Sequence, residues 1–169
     1  MTHEVPTPEQ ERPLIPGMFN VEAMSDEHIA ITYRALFDAW GATGTSEVDA
    51  DEFDAFRVVP ESLALDVRNL AVRDPMRVRS LVQKLIATPN AADRNLAAET
   101  VESLLDFDYA YTRDALIYLD AHGSDGLDDN SWVTESARFR LWELRDSRLT
   151  PEQVADFNVR LDMRGLPLL

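Results

Sequence analysis

The segment that begins at Asp74 carries apolar residues at the spacing of an amphipathic helix over its whole length. They follow the i, i+3, i+4, i+7, i+8 pattern without interruption, at Val78, Leu81, Val82, Leu85 and Ile86. Similar segments recur from Ser25 onward, and most follow a residue type that caps helices. We find no convincing strand, because no run of two-residue alternation is bounded by turn residues. The sequence therefore predicts an all-α fold.

Capping residues and helix breakers predict where the helices begin and end. Ser25 is expected to cap the first helix, and Gly41 suits a left-handed residue that closes it. A separate short helix is predicted before Pro60, which suits the first position of the next helix. Thr150 begins a capping-box sequence, TPEQ. Other helix starts are predicted at Asp74, Asp93, Asp108 and Asp129.

The chain divides into a tail and one body. Residues 1–24 include four prolines, at positions 6, 8, 13 and 16, and proline lacks the backbone donor that regular structure needs. We expect an extended N-terminal tail over 1–24 that lies across the body. The remaining residues, 25–169, are enough for a single helical domain with its own core.

A spacing recurs under the predicted helices. Asp74, Asp93 and Asp129 are each followed by apolar residues at positions +4, +8 and +12. The starts at 74 and 108 lie 34 residues apart, and those at 93 and 129 lie 36 apart. A helix pair of this length is the repeating unit of α-solenoids, in which each hairpin buries its apolar face against the next.

The stretch DPMRVRSLVQKLIA resembles the second helix of HEAT-type repeats, where an aspartate at the turn precedes a Val-Arg pair and then leucine spacing. Asp74, Val78 and Arg79 match that pattern, and two later segments are similar without the arginine. The resemblance covers roughly residues 74–161 and implies antiparallel hairpins stacked as a short α-solenoid. An irregular helical bundle remains open, because any capped amphipathic helix shows an aspartate and then apolar residues every four positions.

The charge of the chain limits its partners. It has 31 acidic and 16 basic residues, a net charge of −15, which disfavours general binding to nucleic acid and favours a basic protein. Arginine outnumbers lysine, since Lys84 is the single lysine, and this bias is typical of GC-rich bacterial coding sequence. The acidity therefore has a second interpretation, as solubility and genome bias.

The sequence also bears on where the protein is located. It contains no cysteine, no recognisable signal peptide and no apolar run near 18 residues. We therefore expect a cytoplasmic protein that does not span a membrane.

Residues 119–132, LDAHGSDGLDDNSW, have the composition of a calcium loop. Such a loop needs oxygen ligands at positions 1, 3, 5 and 12 and a glycine at position 6. If Gly126 is position 6, positions 1 and 12 are Ala121 and Trp132, and no other register fits. A looser calcium site is the alternative to a solvated loop, with Asp125, Asp128 and Asp129 as its ligands. We predict no metal or cofactor.

The motifs of common enzymes are missing from the sequence. The three histidines are not in HExxH or ExxH spacing, and there is no GxSxG, GxGxxG or GxxxxGK[ST]. The acidic pairs Asp49/Asp51 and Asp106/Asp108 could form a catalytic dyad but are typical of helix ends. An enzyme with a carboxylate site outside known motifs is therefore only an alternative.

The helix predicted from Asp129 has two apolar stripes. The first contains Val133, Ala137, Leu141 and Leu144; the second contains Trp132, Phe139 and Trp142. A helix with two apolar faces is normally sandwiched between neighbours, so we expect the second stripe to be buried. If that stripe is exposed, it indicates a partner site.

The sequence favours a non-enzymatic protein that binds another protein through a helical-repeat scaffold with an acidic surface. The alternative is an immunity protein or antitoxin-type inhibitor that covers a basic toxin. The residues predicted to contact the partner are Asp106, Asp108, Asp125, Asp128 and Asp129, with Trp132 and Trp142 as apolar anchors.

Overall fold

The computed structural model describes residues 16–43, 50–127 and 132–169, with the side chains of 40–43 and 50–58 excepted. These residues form seven α-helices and no strand, which confirms the all-α prediction. The helices are α1 (Asp26–Thr43), α2 (Ala50–Arg73), α3 (Pro75–Ala87), α4 (Ala91–Thr100), α5 (Tyr109–His122), α6 (Val133–Ser147) and α7 (Pro151–Met163). Short 3₁₀ turns occupy Val21–Ala23 and Val101–Leu104.

Helix α4 lies at the centre of the fold. It packs against α1, α2, α3 and α6, and nearly every one of its residues is buried. Three of its buried side chains are the alanines 92, 97 and 98, and such small side chains let neighbouring helices approach closely on several sides. Helix α4 is therefore the element against which these four neighbouring helices pack.

Consecutive helices pack as pairs, α1 with α2, α3 with α4, and α5 with α6. In the described part of the chain, the extensive helix contacts run within a pair or between one pair and the next. Stacked helical hairpins require this nearest-neighbour pattern. The resemblance to HEAT repeats itself stays a prediction.

Four of the predicted caps are present. The side chains of Ser25, Asp74, Asp108 and Thr150 each accept a hydrogen bond from the backbone N–H three residues on. At Thr150 the capping box is complete, because Oε1 of Gln153 also accepts a hydrogen bond from the Thr150 N–H at 3.0 Å.

Three predicted boundaries are wrong. Gly41 lies inside α1, which continues to Thr43. Pro60 lies inside α2 and does not start a helix, so the two helices predicted there are one. The cap of α4 is Asn90, whose Oδ1 accepts from the Asp93 N–H at 3.1 Å, so α4 starts earlier than predicted. The predicted start at Asp129 lies outside the described residues.

Residues 16–24, which belong to the predicted tail, pack onto α2 and α3. The N–H groups of Gly17 and Phe19 donate to the carboxylate of Asp66 on α2, at 2.6 and 2.8 Å. Val21 is buried, and the guanidinium of Arg77 on α3 donates to its carbonyl oxygen at 3.1 Å. Residues 1–15 lie outside the described part of the chain.

Arginine side chains join one helix to another throughout the fold. The ion pairs between different helices, or between a helix and the cap of another, include Arg34–Asp93, Arg79–Asp108, Arg113–Asp156, Arg138–Asp120 and Arg140–Glu99. These arginines therefore act as charged links between elements of the fold.

Candidate functional site

A groove of about 330 Å³ opens above the middle of α4, between α1 and α2 on one side and α6 on the other. We refer to it as the α4 groove. Its apolar lining comes from Phe37, Pro60, Ala64, Trp132 and Phe139. Its polar lining comes from Tyr33, Glu61, Asn95, Glu99, Glu135, Ser136 and Arg140.

A chain of hydrogen bonds crosses the floor of the α4 groove. Nδ2 of Asn95 donates to the hydroxyl oxygen of Tyr33 at 2.8 Å, and the Ser136 hydroxyl donates to Oδ1 of Asn95 at 2.7 Å. One asparagine on α4 thereby holds α1 and α6 in register. Burial raises the pKa of Tyr33, and the negative charge of Glu99 raises it further, so the hydroxyl stays neutral. The floor is therefore a fixed, uncharged polar surface.

The α6 side of the groove carries two exposed aromatic rings. Trp132 and Phe139 are 42% and 53% exposed, and Trp142, farther along the same stripe, is 46% exposed. The prediction that this stripe is buried is wrong. The first stripe, with Leu141 and Leu144, is buried as predicted. One face of α6 thus packs into the core while the other presents large apolar surfaces to solvent.

Glu135 lies between the two aromatic residues that line the groove. Trp132, Glu135 and Phe139 occupy positions i, i+3 and i+7, which share one side of a helix. The Glu135 side chain is exposed and forms no ion pair with any residue that the structure describes. A carboxylate is thus placed beside two aromatic rings on the wall of the groove.

Arg140 anchors a cluster of carboxylates at the edge of the α4 groove. Its guanidinium pairs with Glu99, with Glu102 at 3.2 Å and with Glu143 at 2.8 Å. Arg68 approaches the same Glu102 at 3.9 Å. Burial raises the pKa of Glu102, and the two arginines oppose that shift. Two cations therefore face three carboxylates here, so the cluster contributes no net positive charge to the groove.

Among the described residues, the aspartates predicted to contact a partner do not form one patch. Asp106 is exposed and pairs with Arg148 at 3.1 Å, just beyond the C-terminal end of α6. Asp125 lies before the N-terminal end of α6, with its Oδ2 2.9 Å from Nδ1 of His122. An α-helix of the length of α6 is about 22 Å long, so the two aspartates lie well apart.

The other predicted contact residues have separate positions. Asp108 caps α5 and pairs with Arg79 at 3.0 Å, which ties this side chain to the framework. Asp128 and Asp129 lie outside the described residues. Of the two tryptophans, Trp132 lines the α4 groove and Trp142 does not.

Sequence reasoning missed most of the groove. Asn95 and Tyr33 are separated by 62 positions and belong to no motif, so their hydrogen bond could not be predicted from the sequence. Glu135 could have been found, because its spacing from Trp132 and Phe139 places all three on one helix side.

The calcium-like loop is held by an arginine in the described part of the chain. Nη1 of Arg94 donates to the carbonyl oxygens of Gly123 at 3.1 Å and Asp125 at 2.7 Å. Within the described ranges, no group of three or more His, Cys, Asp or Glu side chains is placed to hold a metal ion. In the same residues, no helix combines the length and apolar character needed to cross a membrane.

Comparison of the chain with protein families, with curated proteins and with solved structures finds no match.

Proposed function

We propose that this protein is a non-enzymatic binding module that contacts another protein through the α4 groove and the exposed stripe of α6. The observation behind this proposal is the exposure of Trp132 and Phe139 beside a groove whose polar floor is already hydrogen-bonded. Exposed aromatic side chains next to a concave surface are typical of the anchor residues of protein interfaces.

The packing supports a scaffold role for the rest of the chain. We propose that the paired helices are stacked hairpins of the HEAT-like kind, in a cytoplasmic protein. In such an arrangement one side of the stack presents a continuous surface made by successive pairs. The α4 groove fits this arrangement. Helices α1 and α2 of the first pair line one side of it, α6 of the third pair lines the other side, and α4 of the second pair lies between them.

An inhibitor of a basic toxin is the second candidate. The lining of the α4 groove favours it, because its described residues include three carboxylates, Glu61, Glu99 and Glu135, and one cation, Arg140. The net charge of −15 would also speed the encounter with a basic protein. Both candidates use the same surface and differ in the identity of the partner.

The proposal is tested by photo-crosslinking in cells of the native host. A benzophenone amino acid in place of Phe139 should give a defined adduct with one protein. The matched control places the same group at Val159, which is similarly exposed on α7. Adding Trp132→Ala should reduce the yield at position 139. Absence of an adduct there, or the same adducts from both positions, would contradict the proposed surface.

A further inference from the structure

The wall of the α4 groove places a carboxylate between two aromatic residues. Successive contacts at i, i+3 and i+7 lie one above another, and about 10 Å separates the first from the last along the axis. Trp132, Glu135 and Phe139 all line the groove, so a single inserted side chain can reach all three. The chemistry of this triplet indicates what kind of side chain fits.

Aromatic ring faces attract cations, and tryptophan does so best. Arginine combines such stacking with a planar fork that pairs with a carboxylate through two hydrogen bonds. The groove already shows a contact between a guanidinium and a ring, because the guanidinium carbon of Arg140 lies 5.9 Å from the centre of the Phe139 ring. Trp132 is 42% exposed, and tryptophan attracts cations best, so a guanidinium from outside can stack on the exposed part of this ring.

The surrounding charges favour a cation at this position. Among the described residues that line the groove, Arg140 is the one basic residue, and Glu99, Glu102 and Glu143 surround its guanidinium. Glu135 is exposed and has no ion-pair partner among the described residues, so its charge is not already offset there. A cation placed in the groove is therefore attracted by Glu135. It is repelled little by Arg140, because the charge of Arg140 is already offset by the surrounding glutamates.

We propose that the α4 groove takes an arginine side chain of the partner protein, with its guanidinium stacked on Trp132 and paired with Glu135. The aliphatic part of that side chain packs against Phe139. This inference rests on the proposed protein-binding function and names the chemistry that the partner presents.

The test uses an acetylated, amidated Ala-Arg-Ala tripeptide and the full-length protein. Binding is followed by NMR through the indole N–H of Trp132, assigned with a Trp132→Phe variant. We expect a saturable shift of this signal at millimolar peptide. The same peptide with citrulline, which keeps the shape of arginine without its charge, should bind at least about tenfold more weakly.

Two carboxylate variants show whether the contact is local. Glu135→Gln should weaken binding about fivefold, since the stacking contact remains. Glu152→Gln, an equal change of net charge at an exposed position on α7, should leave binding unchanged. Equal loss in both variants would show attraction to the overall charge and would overturn the proposal. Equal binding of the citrulline peptide, or of a lysine peptide, would also overturn it.

The outcomes separate this inference from the proposed function. A defined adduct at Phe139 without arginine-peptide binding would leave the protein-binding function in place and remove the arginine. Peptide binding without any adduct in cells would support the arginine site and contradict the function proposed for it.

Discussion

Arg34 on α1 and Asp93 on α4 form an ion pair through two hydrogen bonds. Nε of Arg34 lies 2.8 Å from Oδ1, and Nη2 lies 2.5 Å from Oδ2. The Asp93 side chain is 2% exposed, whereas that of Arg34 is 39% exposed. The two partners therefore differ strongly in burial. Without Arg34 a buried carboxylate is left unpaired, but without Asp93 the guanidinium can turn to water.

This asymmetry predicts different costs for removing the two charges. Arg34→Met should lower the free energy of unfolding by about 3 kcal/mol, because it leaves the buried carboxylate alone. Asp93→Asn should lower it by about 1 kcal/mol, because an amide oxygen still accepts from the arginine. Urea unfolding of both variants and of the double mutant measures the costs. Equal costs, or a larger cost for Asp93→Asn, would contradict the prediction.

Asp156 predicts a pH-dependent link between α5 and α7. Its Oδ2 accepts from Nη1 of Arg113 and from the Tyr109 hydroxyl, both at 2.8 Å, and its Oδ1 accepts from Arg160. The bond from Arg113, followed by those from Tyr109 and Arg160, holds the pKa of Asp156 below its ordinary value of 3.8. A carboxyl with a depressed folded-state pKa stabilises the protein above its unfolded-state pKa. That stabilisation is lost as the pH falls through the folded-state value.

We therefore expect Asp156→Asn to be about 1 kcal/mol less stable than the parent protein at neutral pH, a modest cost because the carboxylate is partly exposed. The difference should hold down to about pH 5 and shrink below about pH 4. Asp162→Asn, at an exposed position on the same helix, is the matched control and should show little difference at any pH. Urea unfolding at several pH values measures both. A constant gap for Asp156→Asn at low pH would show that the charge is not its cause.

The two faces of α6 predict opposite responses to truncation. Leu141 is fully buried, so Leu141→Ala should cost about 2–5 kcal/mol of unfolding free energy. Phe139 is about half exposed, so Phe139→Ala should cost about 1 kcal/mol while it removes the proposed contact. Thermal unfolding compares the two. A cost for Phe139→Ala as large as that for Leu141→Ala would show that the ring belongs to the core.

Gly123 marks a close approach between α5 and α6. A Cβ atom there would lie 2.4 Å from the carbonyl oxygen of Leu119 and 2.6 Å from Cγ1 of Val133. Gly123→Ala should therefore destabilise the protein by about 1–3 kcal/mol. Adding Val133→Ala removes one of the two clashes, so the double variant should lose less than the sum of the single losses. Strict additivity in urea unfolding would mean that Val133 is not the obstacle.

Local patterns were sufficient to predict most helices and their caps. Thr150 and Asp108 act within three residues of the backbone groups that they satisfy, so their roles can be read from adjacent positions. Pro60 misled the prediction, because α2 continues through this residue although proline often begins a helix. Local rules describe what a residue prefers, and they do not include what its neighbours in space impose.

Contacts between positions far apart in the sequence could not be predicted, either in the framework or in the α4 groove. Asp93 has the sequence context of a helix cap, yet its carboxylate pairs with an arginine 59 positions away. The second stripe of α6 looked buried because apolar stripes usually face another helix, and only the packing of α1 and α2 leaves a groove beside it. Periodicity shows that Trp132 and Phe139 share a side with Glu135, but it does not show whether that side meets solvent.

The joining of helices by arginine has a consequence for the chemical handling of the protein. A guanidinium stays protonated at any pH that a folded protein survives, and reagents that modify amines do not attack it. Lys84 provides the one side-chain amine in the chain, and it is an exposed residue of α3 that pairs with Asp26 at 2.7 Å. Among side chains, an amine-directed dye or surface linker is therefore confined to one position, which does not line the α4 groove. The protein can be labelled or immobilised through this lysine without modifying the arginines that join the helices or the exposed aromatic stripe of α6.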